Sequence, residues 1–228
     1  MRKALDFYCG AGWATRGMQM AGFHVTGVDI KPQPRYCGDA FIQADALSVS
    51  LDGYDFVWSS PPCQAHTVLK KMWNAKPHVD LIPQTRAKLK AWGGPWIIEN
   101  VVGAPLFSPV LLCGTMFNLG AGEAELRRHR LFESNCFLLG PECQHRLSRV
   151  VGVYGGHGRD RRRRPKSVGV YGHSGGASRQ GQEFSVTERR EAMGIDWMMG
   201  TELSQAIPPA YSQFLCQQIL EQLERRAA

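Results

Sequence analysis

Five short apolar or β-branched runs recur over the first hundred residues: Ala4 to Tyr8, Val25 to Asp29, Phe41 to Ala44, Asp55 to Ser59 and Trp96 to Glu99. Each stops at a turn-forming, Gly/Pro or charged residue, the punctuation expected of buried strands. Between them lie two stretches with helical pattern, Ala14 to Ala21 closed by Gly22, and Asp80 to Trp92 closed by Gly93-Gly94. Glycine there can take the left-handed conformation that ends a helix. Strands and helices alternating at this pace predict an α/β chain with a mainly parallel sheet covered on both faces. Right-handed crossovers then gather the loops after the strands at one edge, where open α/β sheets bind ligands.

The pattern changes between Gly140 and Phe184, a Gly/Arg-rich stretch with little helical periodicity, which reads as a small lobe or mobile insertion too short to fold alone. It holds two near-copies, Gly152-Val-Tyr-Gly-Gly-His-Gly158 and Gly169-Val-Tyr-Gly-His-Ser-Gly175. The alternating valines before each predict a hairpin with a basic tip. Regular structure resumes with Thr187 as the expected N-cap of a helix through Met193, ended by Gly194. A last helix begins at Pro208-Pro209 and places Tyr211, Leu215, Ile219 and Leu223 on one face, a packing stripe with no chemistry assigned to it. The chain thus divides into 1–137, an irregular basic segment 138–184, and returning helices 185–228.

At 228 residues, 43% of them hydrophobic and 21% charged, the chain has the composition of an ordinary soluble globule with one full core. No apolar run approaches the length that crosses a bilayer, which excludes a membrane protein. Strand-like residues follow Met1 too closely for a secretion signal, so a cytoplasmic location is expected. Seven cysteines without regular spacing point to reduced thiols. The formal charge of +7 is concentrated: Arg127 to Lys166 carries eleven basic residues against three acids. That segment suggests a polyanionic partner.

Candidate chemistry falls at the strand ends. Asp6-Phe-Tyr-Cys-Gly-Ala-Gly12 follows the first strand and can form a tight turn whose amides approach a ligand. Asp29 ends the second strand, where an acid can accept from ribose hydroxyls, and Asp45 follows the third. These three positions favour a nucleoside-containing cofactor, and the lack of a Gly-Lys-Ser/Thr phosphate loop argues against an ATPase. Ser59-Ser-Pro-Pro-Cys-Gln64 follows the fourth strand, its prolines holding Cys63 at the sheet edge as a candidate nucleophile. Glu99-Asn100 closes the fifth, in an apolar setting that would raise the carboxyl pKa and keep a proton available.

Taken in order, these blocks resemble the DNA (cytosine-5)-methyltransferase family over nearly the whole chain, and the short segment before Thr187 is similar to that of compact phage-type members. The resemblance implies a Rossmann-like S-adenosylmethionine-dependent methyltransferase fold with a small irregular target-recognition insertion at 138–184. It implies cofactor contacts by Asp6, Tyr8, Cys9, Gly10, Gly12, Asp29, Ile30, Asp45, Ala46 and Pro61. Pro62-Cys63-Gln64 looks like the Pro-Cys nucleophile motif, and Glu99-Asn100-Val101 like the family's Glu-Asn-Val. Arg127-Arg-His-Arg130 resembles the Gln-x-Arg-x-Arg motif, giving Arg128 and Arg130 catalytic roles. Thr187 to Gly194 and Ser204 to Pro209 resemble the last two conserved blocks. Three positions depart from the family pattern: Trp13 for glycine, Leu126 for glutamine and Gln205 for asparagine.

The implied reaction is methyl transfer to carbon 5 of a cytosine flipped out of duplex DNA, by a monomeric enzyme. Cys63 forms the covalent adduct, Glu99 acts at ring nitrogen 3, Arg130 donates to the exocyclic oxygen, and Asn100 braces the Pro-Cys loop. Gln64, Arg159, Arg161, Arg162, Arg163 and Arg164 are the expected DNA contacts. Two rivals share the scaffold: a tRNA cytosine methyltransferase and a catalytically silent DNA-binding protein. His157 and His173 read as polar loop residues, and His66 as a pocket-mouth or structural residue. Cys136, Cys143 and His145 are irregularly spaced with no evident fourth ligand, so no metal site is expected.

Overall fold

Strands form where the apolar runs lie: β1 (Lys3–Phe7), β2 (His24–Asp29), β3 (Ala40–Gln43), β4 (Phe56–Ser59) and β5 (Trp96–Asn100). The structure, a computed structural model, describes residues 1–66, 78–147, 149–153 and 184–227. These five strands pair in parallel, and the sheet continues through β9 (Arg130–Ser134) to β6 (Val110–Leu112) in the order β3-β2-β1-β4-β5-β9-β6. β9 is antiparallel to both its neighbours. A small antiparallel pair, β7 (Gly120–Ala121) and β8 (Ala124–Glu125), stands apart. The antiparallel elements are absent from the sequence reading: β9 coincides with the arginine motif, whose charges mask its strand pattern.

The pleat sorts apolar residues onto two buried faces. Leu5, Phe7, Val28, Val57 and Ile98 meet Leu89 of α2 (Ile82–Trp92) on one face. Ala4, Val25, Trp58, Ile97 and Phe132 meet α1 (Trp13–Ala21) and the last helix, α5 (Pro209–Ala227), on the other. Tyr211, Leu215 and Ile219 are fully buried there, as the fourfold spacing predicted, each contributing about 1.5–3 kcal/mol from apolar burial. α1 and α5 approach so closely that a Cβ at Gly17 would sit 2.2 Å from the Pro209 carbonyl oxygen, so residue 17 needs to be glycine.

Two further helices, α3 (Val186–Met193) and α4 (Gly200–Gln205), lead into α5. The cap of α3 corrects the sequence reading: Ser185, not Thr187, is the N-cap, its hydroxyl accepting from the Glu188 amide while Glu188 accepts from the Ser185 amide. Ser-x-x-Glu is a reciprocal capping box, and the pattern was present two residues earlier. Among the described residues no helix is long and apolar enough to cross a membrane. The expected hairpin between the two glycine-rich copies lies, beyond Val153, outside the described residues.

Candidate active site

The loop after β1 turns sharply because Tyr8, Gly10 and Gly12 all have left-handed backbone, at φ 61, 51 and 89. At Gly12 a Cβ would lie 2.7 Å from Cys37 Sγ, so the turn that starts α1 tolerates no side chain. Asp29, at the end of β2, ties this loop to its own strand, accepting from the Gly10 amide at 3.1 Å and from the Lys31 amide at 2.9 Å. Ile30 beside it is 68% exposed, a large apolar surface next to a carboxylate at the sheet edge. Asp45 is exposed and Ala46 buried in the loop after β3. Tyr8 shares a hydrogen bond with the Thr85 hydroxyl at 2.9 Å.

Asp6 and Cys9 serve this loop from beneath. Both are buried, and Cys9 uses its amide on the Val28 carbonyl and its carbonyl on the Gly12 amide. Asp6 Oδ2 accepts from the Thr15 amide at 3.1 Å and its hydroxyl at 2.6 Å, while Oδ1 is buried without a partner. Burial pushes the Asp6 carboxyl up to about 7, with the nearby Asp29 and Glu99 charges adding to the rise and the Thr15 bonds opposing it. The C-terminal part closes over the same loop: Trp197 Nε1 donates to the Ala11 carbonyl at 2.9 Å, and Arg16 lies over the Trp197 ring.

Pro61-Pro62 carries the chain from β4 into a single 3-10 turn, Cys63–Ala65, which leaves Cys63 partly exposed. Asn100 at the end of β5 holds this mount in place: its Nδ2 donates to the buried Pro61 carbonyl at 2.9 Å and its Oδ1 accepts from the Val101 amide. Glu99, also on β5, is buried. The register of β5 with β9 sets Glu99 opposite Phe132, so Arg130, two residues earlier in β9, falls on the face of Glu99. Arg130 Nε lies 3.1 Å from Glu99 Oε1.

Burial raises the Glu99 carboxyl above its usual range, with Arg130, Ser60 and Arg128 opposing the rise. The Cys63 thiol is likewise pushed up by burial and by Glu99, while Arg130 and Arg128 pull it back down. A thiol, a protonatable carboxyl and two guanidiniums therefore act on one another at the carboxyl edge of β4 and β5.

Arg128 is a brace within this group. Its Nη1 donates to the Val153 carbonyl at 2.7 Å and its Nη2 to the Ser204 carbonyl at 2.8 Å, while the Tyr211 hydroxyl donates to the carbonyl of Arg128 at 2.7 Å. Tyr211, assigned only to packing by the helical spacing, thus also positions the arginine motif. The phenol on an otherwise aliphatic stripe was the available signal. Ser60 and Ser204 lay inside blocks already singled out but with no role of their own, and Trp197 carried no signal, because each works through long-range contact.

The three departures from the family pattern are placed as follows. Trp13 packs edge-on against Trp58 in the core, Leu126 is buried, and Gln205 is exposed. Gln64 is exposed next to Cys63, and His66 sits 2.9 Å from Asp80, a structural bridge to the start of α2. Arg159, Arg161, Arg162, Arg163 and Arg164 lie outside the described residues.

The premise behind expecting no metal site needs correction. Cys143 and His145 do have two further ligand-type neighbours, Cys113 and His129, whereas Cys136 is not among them. A cavity of about 580 Å³ lies beside this cluster, lined by residues including Thr115, Leu119, Glu142 and Glu191, and Cys63, Glu99, Arg128 and Arg130 do not border it.

The strand order, with crossovers on both sides of β1, defines a Rossmann-like α/β fold. The S. pombe Dnmt2 methyltransferase matches 98% of this chain and 99% of its own, with a TM-score of 0.60 and 15% identity, a likeness that establishes the fold. A DNA modification methyltransferase encoded within an E. coli prophage is 15% identical over 58% of this chain and 45% of its own, with a TM-score of 0.42. A Spodoptera frugiperda DNMT2 variant is 18% identical over 59% and 49%, with a TM-score of 0.38. The chain therefore spans about half the length of the latter two proteins. No protein-family model matches the chain, and no curated protein matches it in sequence.

Proposed function

We propose that this protein transfers a methyl group from S-adenosylmethionine to carbon 5 of cytosine in duplex DNA, through a transient bond between Cys63 Sγ and carbon 6 of the base. The observation that carries the reading is the convergence of Cys63, Glu99 and Arg130 at one strand edge, beside the glycine turn after β1. The strand ends suit the cofactor: the turn at Tyr8, Gly10 and Gly12 offers main chain, Asp29 offers a carboxylate to ribose hydroxyls, and exposed Ile30 offers an apolar face to a base. Asp45, Ala46 and Pro61 complete the cradle, while Asp6 and Cys9 shape it from below. S-adenosylmethionine supplies an electrophilic sulfonium methyl when bound.

The chain's own groups prepare the nucleophile. Cys63, once deprotonated, adds to carbon 6, and the displaced electron pair makes carbon 5 enamine-like. Glu99, whose burial favours its protonated form, donates at ring nitrogen 3 and stabilises that electron density. Arg130 donates to the exocyclic oxygen, and Arg128 and Asn100 keep Arg130 and the Pro-Cys mount in register. Carbon 5 would take the sulfonium methyl, leaving the donor as a neutral thioether; loss of the carbon-5 proton to a base then breaks the Sγ–carbon-6 bond and restores the aromatic ring. Carbon 6 is inaccessible in stacked duplex, so the base is extruded at a cost of a few kcal/mol. Gln64 and the basic run Arg159 and Arg161–Arg164, within the proposed target-recognition segment 138–184, offset this with DNA contacts.

The test is covalent trapping. A duplex carrying 5-fluorocytosine, incubated with protein and S-adenosylmethionine, should give a denaturation-resistant adduct that Cys63→Ala abolishes. An adduct formed only with the corresponding tRNA would move the substrate to RNA. Folded protein giving none with either would leave a silent nucleic-acid-binding scaffold. Neutralising Arg161–Arg164 should flatten the salt dependence of DNA binding by roughly 0.9 in log–log slope for each phosphate that is no longer neutralised.

A further inference from the structure

We infer that Cys113, His129, Cys143 and His145 form a tetrahedral zinc site that fastens the arginine motif to the start of the basic segment. Their ligand atoms all lie within 4.8 Å of one another. Cys113 Sγ is 3.5 Å from His145 Nε2, Cys143 Sγ is 3.0 Å from the same nitrogen, and His129 Nε2 is 3.3 Å from Cys143 Sγ. Zinc–sulfur bonds of about 2.3 Å and zinc–nitrogen bonds of about 2.0–2.1 Å require tetrahedral edges of about 3.3–3.8 Å, close to these separations. The two imidazoles meet at an interplanar angle of 72°, presenting their Nε2 atoms to a shared point instead of stacking.

The sheet explains how residues so far apart in sequence meet. β6 pairs with β9 in the register Leu112 to Arg130, so the next pair outward is Cys113 and His129. The loop carrying Cys143 and His145 is pinned beside them, because Glu125 Oε2 accepts from the Arg146 and Leu147 amides, each at 3.0 Å. Thr115 Oγ1 donates to Cys113 Sγ at 3.3 Å and is 3.8 Å from Cys143 Sγ, the kind of outer hydrogen bond that orients metal thiolates. Two thiolates and two neutral imidazoles favour zinc over the hard, oxygen-seeking cations. Binding sends both thiol protons to solvent, and the thiolates cancel the charge of the dication. That neutrality matters because Arg127, Arg128 and Arg130 flank His129, where an uncompensated cation would be repelled.

The site is separate from the proposed reacting thiol, so it is tested without assaying methyl transfer. Full-length protein purified from zinc-sufficient cells should contain about one zinc per chain by plasma mass spectrometry, and X-ray absorption should show two sulfur and two nitrogen neighbours at about 2.3 and 2.0 Å. Cobalt exchanged into the protein should give the visible absorption of a tetrahedral thiolate complex. Cys143→Ser and His145→Ala, both at exposed positions, should cut bound zinc by about tenfold or more, whereas Cys136→Ser should keep it. If the ligand variants fail to fold, the absorption spectrum of the unaltered protein decides. Folded protein that neither contains zinc nor takes up cobalt overturns the assignment. So does full zinc retention in Cys143→Ser, or a Cys113–Cys143 disulfide found by thiol titration.

Discussion

The two sides of the sheet present their functional groups by different means. On the parallel side, β1 to β5 each deliver a group at their own carboxyl end: the glycine turn after β1, Asp29 at the end of β2, Asp45 after β3, the proline mount after β4 and Glu99 on β5. On the antiparallel side, Arg128, His129 and Arg130 take their places only through partners distant in sequence. Arg130 depends on Glu99, Arg128 on Val153, Ser204 and Tyr211, and the strand β9 on its pairing with β6. The antiparallel side thus leans more heavily on long-range packing, while the parallel side takes fewer such braces, Trp197 on Ala11 and Asn100 on Pro61 among them.

The seam between the sides is a buried ion pair, which offers the sharpest way to break the contrast. Arg86 of α2 donates from Nε and Nη2 to the two carboxylate oxygens of Glu133 on β9, both at 2.7 Å, and Glu133 also accepts from the Phe107 amide. Glu133→Ala leaves a buried guanidinium without its counter-charge, so urea unfolding should show a loss of about 3–5 kcal/mol. A loss below about 1 kcal/mol would mean that the antiparallel side does not depend on this seam.

Asp6 probes the parallel side. Its carboxyl is raised in the folded state, so the native protein holds a proton that the unfolded chain releases first. The stabilising contribution is complete below the ordinary carboxyl range and is lost as pH rises toward about 7. Asp6→Asn should flatten this decline, recovering roughly 2–4 kcal/mol at neutral pH relative to the acid limit. Unchanged pH dependence in denaturation curves would show that Asp6 is not the titrating group.

Smaller effects sharpen the comparison. Arg130 draws the Cys63 thiol down against its burial, so Arg130→Ala should slow iodoacetamide alkylation of Cys63 at fixed pH by roughly two- to tenfold. An unaltered rate would sever the proposed electrical link between the two sides. Ser185→Ala removes one half of the capping box of α3 and should cost about 1 kcal/mol in thermal or urea unfolding. That loss should leave Cys63 reactivity unchanged, because α3 contributes no group to the thiol's surroundings.

What could be read along the chain follows this same division. The apolar runs of β1 to β5 differ from their observed spans only at the ends, and the stripe from Tyr211 to Ile219 is buried as its spacing implied. Glu99 and Asn100 were legible as strand-edge groups because they close an apolar run, and Cys63 because two prolines follow such a run and hold it at the sheet edge. β9 was not, because Arg130 and Glu133 interrupt its apolar pattern and are satisfied by Glu99 and Arg86 from other strands and helices. Ser185 was legible in principle, since the Ser-x-x-Glu spacing is local, and Thr187 was the weaker choice of cap. The pairing of Cys113 with His129 was not, since neither neighbours Cys143 or His145 in the chain.

The amino-acid order alone determined the alternation of strands and helices, the burial stripe of α5 and the identity of the groups at each parallel strand end. Those depend on interactions within a few residues and on a crossover handedness that all such sheets share. Only the tertiary structure decided that Arg130 faces Glu99, that Tyr211 holds Arg128, and that two cysteines and two histidines converge. Antiparallel register and loop docking are set by the sum of many distant contacts, and no short window of residues contains that sum.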